Sequence, residues 1–334
     1  MSNNIGAKKL SYNLLSKITS KKYPEKSVLI IGSGFMTQQY CHALKKLGVR
    51  DMIIFARNKN KAKTLAKEFD CKYLSGSLKS ELNNIDGVDL VIITTSVSSL
   101  PMITEDVIQS GQKNILIEKP GSLYYKDLKN LGKKLNVNIR IAYNRLAYPN
   151  FYKLKEILEH EEITSCKYSI TEKVDSIDFT KDTNEIYTRW GISNSLHVIT
   201  MAHELIGMPK EIHAKQFGNL KWHPSGSIFV GHGITEKNIP FSYHADWESA
   251  GRWGIEIMTK EHAYRLMPLE NLYVRKKGSF KWNEISVNIS HPEIKQGISE
   301  EIALMFNMNK ENEFPTPEKG AEFIKLAEII FGYK

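Results

Sequence analysis

Three stretches of this 334-residue chain carry residue types and spacings that can do chemistry. The first is Ser27-Val28-Leu29-Ile30-Ile31-Gly32-Ser33-Gly34-Phe35-Met36-Thr37. Its mostly β-branched run suits a parallel strand covered on both faces. Gly32 permits a tight turn. Gly34 removes the Cβ that would keep a pyrophosphate from the N–H groups of the helix that follows. The third position of this glycine pattern is Thr37. The second stretch is Asn114 to Pro120, where Lys119 stands just past an apolar strand, at the end where open α/β sheets gather ligands. A lysine there can hydrogen-bond a substrate oxygen, and burial lowers its pKa toward neutrality. As a surface residue it would instead pair with Glu118. The third is Arg189 to His197. Arg189 can clamp an anionic group and Trp190 can stack on a sugar ring, or the two close a sheet edge.

Composition narrows the classes. The chain is 41% hydrophobic and 25% charged, enough for two cores. Its net charge of +9 comes mainly from scattered lysines rather than clustered arginines, so the charge does not point to nucleic acid. Cys41, Cys71 and Cys166 are isolated, which fits a reducing cytoplasm and neither a disulfide framework nor a thiolate metal site. No apolar run is long enough for a bilayer, and no membrane partner is expected. The first 26 residues lack the continuous apolar core of a secretory signal and read as a short amphipathic helix packed on the first domain. His223, His232, His244 and Asp246 have no fixed ligand spacing and lie on separate strands, so no metal is expected.

Strand and helix patterns alternate from Ser27 to about Ala142, as in a doubly wound parallel sheet. Helices are expected at Phe35–Leu47, Asn60–Phe69, from Pro101, and at Lys126–Leu135, with strands between them. After Tyr148 and Pro149 a helix, Phe151–His160, leads into runs of two-residue alternation: Cys166–Val174, Glu211–Phe217, Ser227–Ile234, Phe241–Trp247 and Gly254–Met258. These suggest a mostly antiparallel sheet. One helix, Ser193–Ile206, interrupts the strands, and helices at Ile298–Met308 and Glu318–Phe331 close the chain. The fold class is therefore α/β: an N-terminal extension over 1–26, a Rossmann domain over 27–148, and an α+β domain with an open antiparallel sheet over 149–334. The last helix is a candidate to pack back on the first domain.

At Glu118-Lys119-Pro120 the chain resembles the Gfo/Idh/MocA oxidoreductases, the family of glucose-fructose oxidoreductase and inositol dehydrogenase. The resemblance runs from Val28 to Tyr333. It rests on Gly32 and Gly34, then Thr94-Thr95-Ser96 after the fourth strand, Glu118-Lys119-Pro120, and Tyr143-Asn144-Arg145. Ser193-x-x-x-His197 and a late Pro-x-Pro complete the order. It implies a nicotinamide-dependent dehydrogenase or reductase acting on a sugar, nucleotide-sugar or polyol. The cofactor would be held by Gly32, Gly34, Phe35, Met36, Arg57, Thr94, Thr95, Ser96, Glu118, Lys119 and Asn144. Hydride transfer needs a group that handles the hydroxyl proton, and Lys119 and His197 are the candidates. Relatives carry an aspartate and a histidine four residues apart on this helix. Here Ser193 holds the first place, so Ser193, Asn194, Tyr143, Arg189 and Trp190 are candidate substrate contacts beside Lys119 and His197.

Relatives that prefer NAD end the second strand in an acidic residue, whereas this chain has Phe55-Ala56-Arg57-Asn58. NADP(H) is expected to be preferred, with NAD(H) possible. The second sheet is expected to expose Phe229, Phe241, Tyr243 and Trp247 to a second copy, giving a homodimer or homotetramer. Two other classes stay open: a nucleotide-binding regulator or sensor that has lost catalysis, and NAD-dependent glycoside hydrolysis or dihydrodiol- and biliverdin-type reduction on the same scaffold.

Overall fold

The structure, a computed structural model, describes residues 11–134, 136–307 and 314–333. The first ten residues of the expected N-terminal helix region, and the expected helix ends at Leu135 and Met308, lie outside these residues. In chain order come α1 (Tyr12–Ser20), β1 (Ser27–Ile31), α2 (Phe35–Lys46), β2 (Asp51–Phe55), α3 (Lys59–Phe69), β3 (Lys72–Leu74) and α4 (Leu78–Leu82). Next are β4 (Leu90–Ile93), α5 (Leu100–Gln109), β5 (Asn114–Glu118), α6 (Tyr125–Gly132), β6 (Asn138–Ala142) and α7 (Pro149–Leu158). The second half holds β7 (Ile163–Ile170), α8 (Asn184–Thr188), α9 (Leu196–Ile206), β8 (Pro209–Phe217), β9 (Ile228–Thr235), β10 (Pro240–Asp246), β11 (Trp253–Thr259), β12 (His262–Leu266), β13 (Tyr273–Lys276) and β14 (Asn283–Glu284). Two helices, α10 (Ile298–Phe306) and α11 (Pro317–Phe331), follow.

The chain divides into two units, each discontinuous in sequence. The first comprises Met1–Glu118, Leu131–Tyr152 and Asn288–Pro317. Its six strands are all parallel, in the order β3-β2-β1-β4-β5-β6. β4 and all but the first residue of β1 and of β5 are buried, as a strand covered on both faces must be, which is why they read as apolar runs. The order reverses between β1 and β4, so the loops leaving their C-terminal ends diverge and leave a crevice. Residues 288–317 belong here for a visible reason. Ile141 N–H donates to the Pro315 carbonyl at 2.9 Å, the Asn144 amide donates to Gln296 O at 2.9 Å, and α10 packs against α1 and α2. Leu15 and Ile18 form the buried side of α1, as an amphipathic helix on this unit requires.

The second unit comprises Lys119–Asn130, Lys153–Val287 and Glu318–Lys334. Its eight strands run β14-β13-β12-β11-β7-β10-β9-β8, and every pairing is antiparallel except β7 with β10. Lys119–Asn130 is tied to it by the Arg189 Nε, which donates to the Leu123 carbonyl, and by the Tyr124 hydroxyl on Glu185. The expected alternation is present, but the face is the reverse of that expected. Phe229, Phe241, Tyr243 and Trp247 are buried, with Phe331 of α11 against Phe229 and Trp247 and His203 of α9 against Phe241. Ser242 and His244 of β10 are exposed instead. The large rings face the unit's own helices because that is where they lose most water contact, and the open face is polar.

The first unit buries Tyr40, Glu118, Glu300 and Glu301 together. The Tyr40 hydroxyl lies 3.2 Å from Glu118 Oε1 and 2.5 Å from Glu301 Oε1, and Glu301 Oε2 has no hydrogen-bond partner among the described residues. Burial pushes the Glu300 carboxyl up to about 7; Glu301 is raised well above its ordinary range by burial and then by the Glu118 charge. A carboxyl raised on folding holds a proton that the unfolded chain releases, so stability falls as pH rises from about 4.5 toward 7. Glu301→Gln keeps an acceptor for Tyr40 and removes the ionising group. Its melting temperature is expected to exceed that of the wild type by about 2–4 °C at pH 8, with the gap closing at pH 5, as measured by calorimetry.

Candidate active site

In the first unit the glycine turn is built by hydroxyls. The Gly32 N–H donates to the Phe55 carbonyl at 2.9 Å and the Thr94 N–H to the Ile31 carbonyl at 2.8 Å, which fixes the ends of β1, β2 and β4 side by side. Thr37, at the third motif position, is fully buried. Its Oγ1 accepts the Gly34 N–H at 3.1 Å and lies 2.8 Å from Thr94 Oγ1, which in turn donates to Ile31 O. A glycine there would leave that bridge unmade. Gly32 has φ +150°, and a Cβ on it would overlap Thr94 Oγ1 and come within 2.9 Å of Thr37 Oγ1. A Cβ on Gly34 would meet no protein atom within 4 Å. The space over the α2 N-terminus is therefore open, and the residues fit a pyrophosphate there. A cleft of about 590 Å³ continues from it past Phe55, Ala56, Arg57, Asn58, Lys61 and Ser77 on one side and Thr94, Thr95 and Ser96 on the other. Arg57 is exposed, Asn58 caps α3, and Phe35 is 65% exposed at the start of α2.

In the second unit the chain makes a wide π turn over Gly191–Ser195 before α9 begins. Such turns shift the register of side chains and are frequent at functional sites. Here Ser193 turns its hydroxyl back toward the Ile186 and Trp190 carbonyls, each at 3.4 Å, and presents its own carbonyl to Lys119, whose Nζ donates at 2.7 Å. Asn194 and Ser195 turn toward a carboxylate that the sequence reading did not single out, Glu172. Asn194 Nδ2 donates to Oε1 and Oε2 at 3.2 and 3.0 Å, and the Ser195 hydroxyl donates to Oε1. Glu172 is 7% exposed. Burial raises its pKa, while the bonds from Ser195 and Asn194, the nearby Trp190 indole and the Lys119 charge hold it back. A signal for it was present in the alternation. Counting by twos from the buried Cys166, Tyr168 and Ile170 of β7 puts Glu172 on the same inward side.

Residues 13–121 match the shikimate/quinate 5-dehydrogenase family, about a third of the chain. No curated protein matches it in sequence. Among solved structures, an oxidoreductase from Agrobacterium radiobacter in complex with NAD+, L-tartaric acid and magnesium superposes with a TM-score of 0.75 at 15% identity, covering 92% of this chain and 96% of the other. UDP-N-acetylglucosamine 3-dehydrogenase from Acidithiobacillus ferrooxidans gives 0.71 at 14%, covering 92% and 97%. Levoglucosan dehydrogenase, in complex with NADH and levoglucosan, gives 0.72 at 18%, covering 92% and 96%. The chain has their fold. At these identities the likeness is one of architecture, a parallel nucleotide-binding sheet followed by a mostly antiparallel one.

The remaining expected residues take varied places. Arg189 is 6% exposed and ion-paired with Glu328, with the Tyr124 and Tyr333 rings on its guanidinium at 4.6 and 5.0 Å. Trp190 is half-buried in an aromatic group with Tyr187 and Trp222. His197, on α9, is buried beside Trp253, ring centroids 6.1 Å apart. Tyr143 is fully buried in the first unit, where burial raises its pKa. Asn144 holds Gln296, Glu118 accepts from Tyr40, and Met36 Sδ accepts from Lys295 Nζ. His223 is held by Gly226 O and Tyr333, and His232 stacks on His213. Among the described residues no group of three or more His, Cys, Asp or Glu could hold a metal ion, and no helix is long and apolar enough to cross a membrane. Because Gly32 has no room for a Cβ, Gly32→Ala is expected to weaken nicotinamide-dinucleotide binding at least about tenfold by calorimetric titration, a loss of about 1.4 kcal/mol.

Proposed function

We propose that this chain is a nicotinamide-dependent oxidoreductase acting on a CH–OH group or the corresponding carbonyl of a sugar, nucleotide-sugar or polyol. The observation that carries the reading is Lys119. It follows directly on β5, and its Nζ is fixed by the Ser193 carbonyl in the neighbourhood of a buried carboxylate. The glycine turn, the open N-terminus of α2 and the adjoining cleft support dinucleotide binding. Support for the substrate class comes from architecture shared with UDP-N-acetylglucosamine 3-dehydrogenase and levoglucosan dehydrogenase.

When bound, the cofactor supplies hydride exchange at its nicotinamide carbon. Backbone N–H groups at the start of α2 bind its pyrophosphate, Gly32 and Gly34 admit it, and Thr94, Thr95 and Ser96 line the same cleft. Lys119 takes the hydroxyl proton in oxidation and returns it in reduction, stabilising the charge that develops on oxygen. His197 is the second proton-handling group. NADP(H) is the preferred cofactor. No carboxylate stands at the end of β2 to repel a 2′-phosphate, while Arg57 and Lys61 line the cleft there. A homo-oligomer forms through the open, polar face of the second sheet, where Lys167, Ser242, His244 and Glu256 border a hollow of about 310 Å³. The serine at position 193 favours a second reading, a nucleotide-binding sensor without turnover.

Lys119→Met separates the two. With a nucleotide-sugar that the wild type turns over, it is expected to leave NADPH affinity within about twofold and cut turnover at least about a hundredfold. Equal loss of both, or unchanged turnover, would remove Lys119 from the chemistry. Arg57→Ala is expected to weaken NADPH at least about tenfold while NADH changes little, by fluorescence titration. Tighter binding of NADH than of NADPH by the wild type would overturn the cofactor preference.

A further inference from the structure

The end of α11 brings one hydroxyl back onto the π turn. Gly332 takes φ +69°, a left-handed conformation that glycine adopts without strain, and the Tyr333 N–H reaches back to the Glu328 carbonyl at 2.9 Å. The helix thus closes as a Schellman motif does, and the chain turns inward. From β8 the Gln216 amide donates to the Ile329 and Ile330 carbonyls at 3.1 and 3.0 Å and fastens the same helix end. Two side chains of this end then meet one residue. The Phe331 ring fills the place that a Cβ would take on Gly191, and the Tyr333 hydroxyl accepts the Gly191 N–H at 2.8 Å. The Arg189 guanidinium, paired with Glu328, lies 5.0 Å from the centre of the Tyr333 ring.

The direction of these bonds is set by His223. Its side chain is fully buried, with Nδ1 2.8 Å from the Gly226 carbonyl, which can only accept. Nδ1 therefore carries the proton and Nε2 the lone pair. Nε2 lies 2.6 Å from the Tyr333 oxygen, so the tyrosine donates its one proton there and keeps a lone pair for the Gly191 N–H. Ser225 Oγ is 3.5 Å from both ring nitrogens, beyond the ordinary range of either bond. Burial lowers the His223 pKa to about 4 and holds Tyr333 in its protonated form, so both groups are neutral where the protein works near pH 7. The Trp222, Phe229 and Trp247 rings surround the imidazole at 5.5, 5.7 and 4.6 Å and keep it in place. The three bonds form one directed chain, from the Gly191 N–H through Tyr333 and His223 to the Gly226 carbonyl.

Two residues further along the same turn, the Ser193 carbonyl accepts the Lys119 Nζ at 2.7 Å. Lys119, the turn, His223 and Tyr333 all belong to the second unit. We propose that Tyr333 is a positioning residue for Lys119: its hydroxyl, oriented by His223, fixes the π turn from which the Ser193 carbonyl places the lysine Nζ. The catalytic consequence rests on the proposed function, whereas the effect on the turn does not. Tyr333 transfers no proton in either direction of the reaction. It acts through the turn.

The test uses the full-length protein. Tyr333→Phe keeps the ring beside Phe331 and Arg189 and removes the hydroxyl alone. Read by mass spectrometry, hydrogen–deuterium exchange over residues 189–195 is expected to quicken at least about tenfold, with the β1–α2 segment unchanged. In protein labelled with 13Cε-lysine, the Lys119 signal, assigned by its loss in Lys119→Arg, is expected to move toward the position shared by exposed lysines. His223→Leu keeps the bulk and removes the acceptor, and is expected to reproduce both changes. His223→Gln offers an oxygen near the place of Nε2 and is expected to reverse most of them. With a nucleotide-sugar that the wild type turns over, Tyr333→Phe is expected to lower kcat at least about fivefold, with KM and the NADPH dissociation constant within about twofold. The double variant Tyr333→Phe/His223→Leu is expected to fall no more than about twofold below the weaker single variant, because both substitutions remove one bond. Unchanged exchange at 189–195 or an unmoved Lys119 signal in Tyr333→Phe overturns the positioning role; if that variant does not fold, His223→Leu decides by the same two readouts. Equal losses in His223→Gln and His223→Leu overturn the orienting role of the imidazole. Unchanged kcat beside altered exchange overturns the catalytic consequence and leaves the oxidoreductase reading standing. If the wild type turns over no sugar, nucleotide-sugar or polyol, that reading fails, and the exchange and the lysine signal still decide whether Tyr333 positions Lys119.

Discussion

The π turn at Gly191–Ser195 is the constraint around which the second unit is arranged, because a widened helical turn leaves backbone groups that the ordinary ladder would have used. Each finds a partner from a different part of the fold. The Gly191 N–H donates to the Tyr333 hydroxyl at 2.8 Å, and the Ser193 carbonyl accepts Lys119. Gly191 has to be glycine, since a Cβ there would sit inside the Phe331 ring. The turn then aims Asn194 and Ser195 at Glu172. Helix α11, the loop after β5 and the end of β7 are thus fastened to one irregular turn. None of these bonds is worth more than about 1–3 kcal/mol alone, but each buried polar group would cost as much if its partner were lost.

The first unit meets a different demand. Its cleft has to leave N–H groups unused for an anion, so the turn is braced from below by threonine hydroxyls. Thr37 and Thr94 hold Gly34 and Ile31 from the buried side and leave the outer side open. The charged residues that line the cleft are Arg57, Lys61 and Asp106. Three buried acids of this unit, Glu118, Glu300 and Glu301, lie elsewhere, with Glu118 and Glu301 on the Tyr40 hydroxyl, and burial followed by the Glu118 charge raises the Glu301 carboxyl well above its ordinary range.

What was legible in the sequence follows from how local each signal is. β1, the glycine turn, α2 and α3 could be read closely, because apolar runs, glycines and capping residues act over a few positions. The threonine at position 37 could be seen but not explained, since its meaning lies in a bond to Thr94, 57 positions away. β12, β13, β14 and α4 were not anticipated; they are short, and they are set by pairing and tertiary packing rather than by their own pattern. The face of the second sheet was assigned in reverse because alternation shows which residues share a side and says nothing about which side meets the helices. In the candidate site the spacing of Ser193 and His197 assumed 3.6 residues per turn, and the π turn breaks that assumption. Glu172 was within reach of the alternation argument, but the run had been valued for its apolar members and the one inward acid in it was passed over.

Tyr333 and the segment Asn288–Pro317 have a consequence for the order in which the molecule can be made. Synthesis runs from the N-terminus at about 5–20 residues per second, so β1 to β6 leave the ribosome well before the segment that donates Pro315 and α10 to their unit. Lys119, Glu172 and the π turn likewise emerge long before the hydroxyl that caps Gly191 and the ring that fills the space beside it. Until then the β6 edge lacks the Pro315 carbonyl, and Phe229 and Trp247 lack the Phe331 ring that packs on them. Completion of both sites is in this sense a single late event, governed by the arrival of Asn288–Pro317, Phe331 and Tyr333 rather than by the folding of the sequences that contain the chemistry.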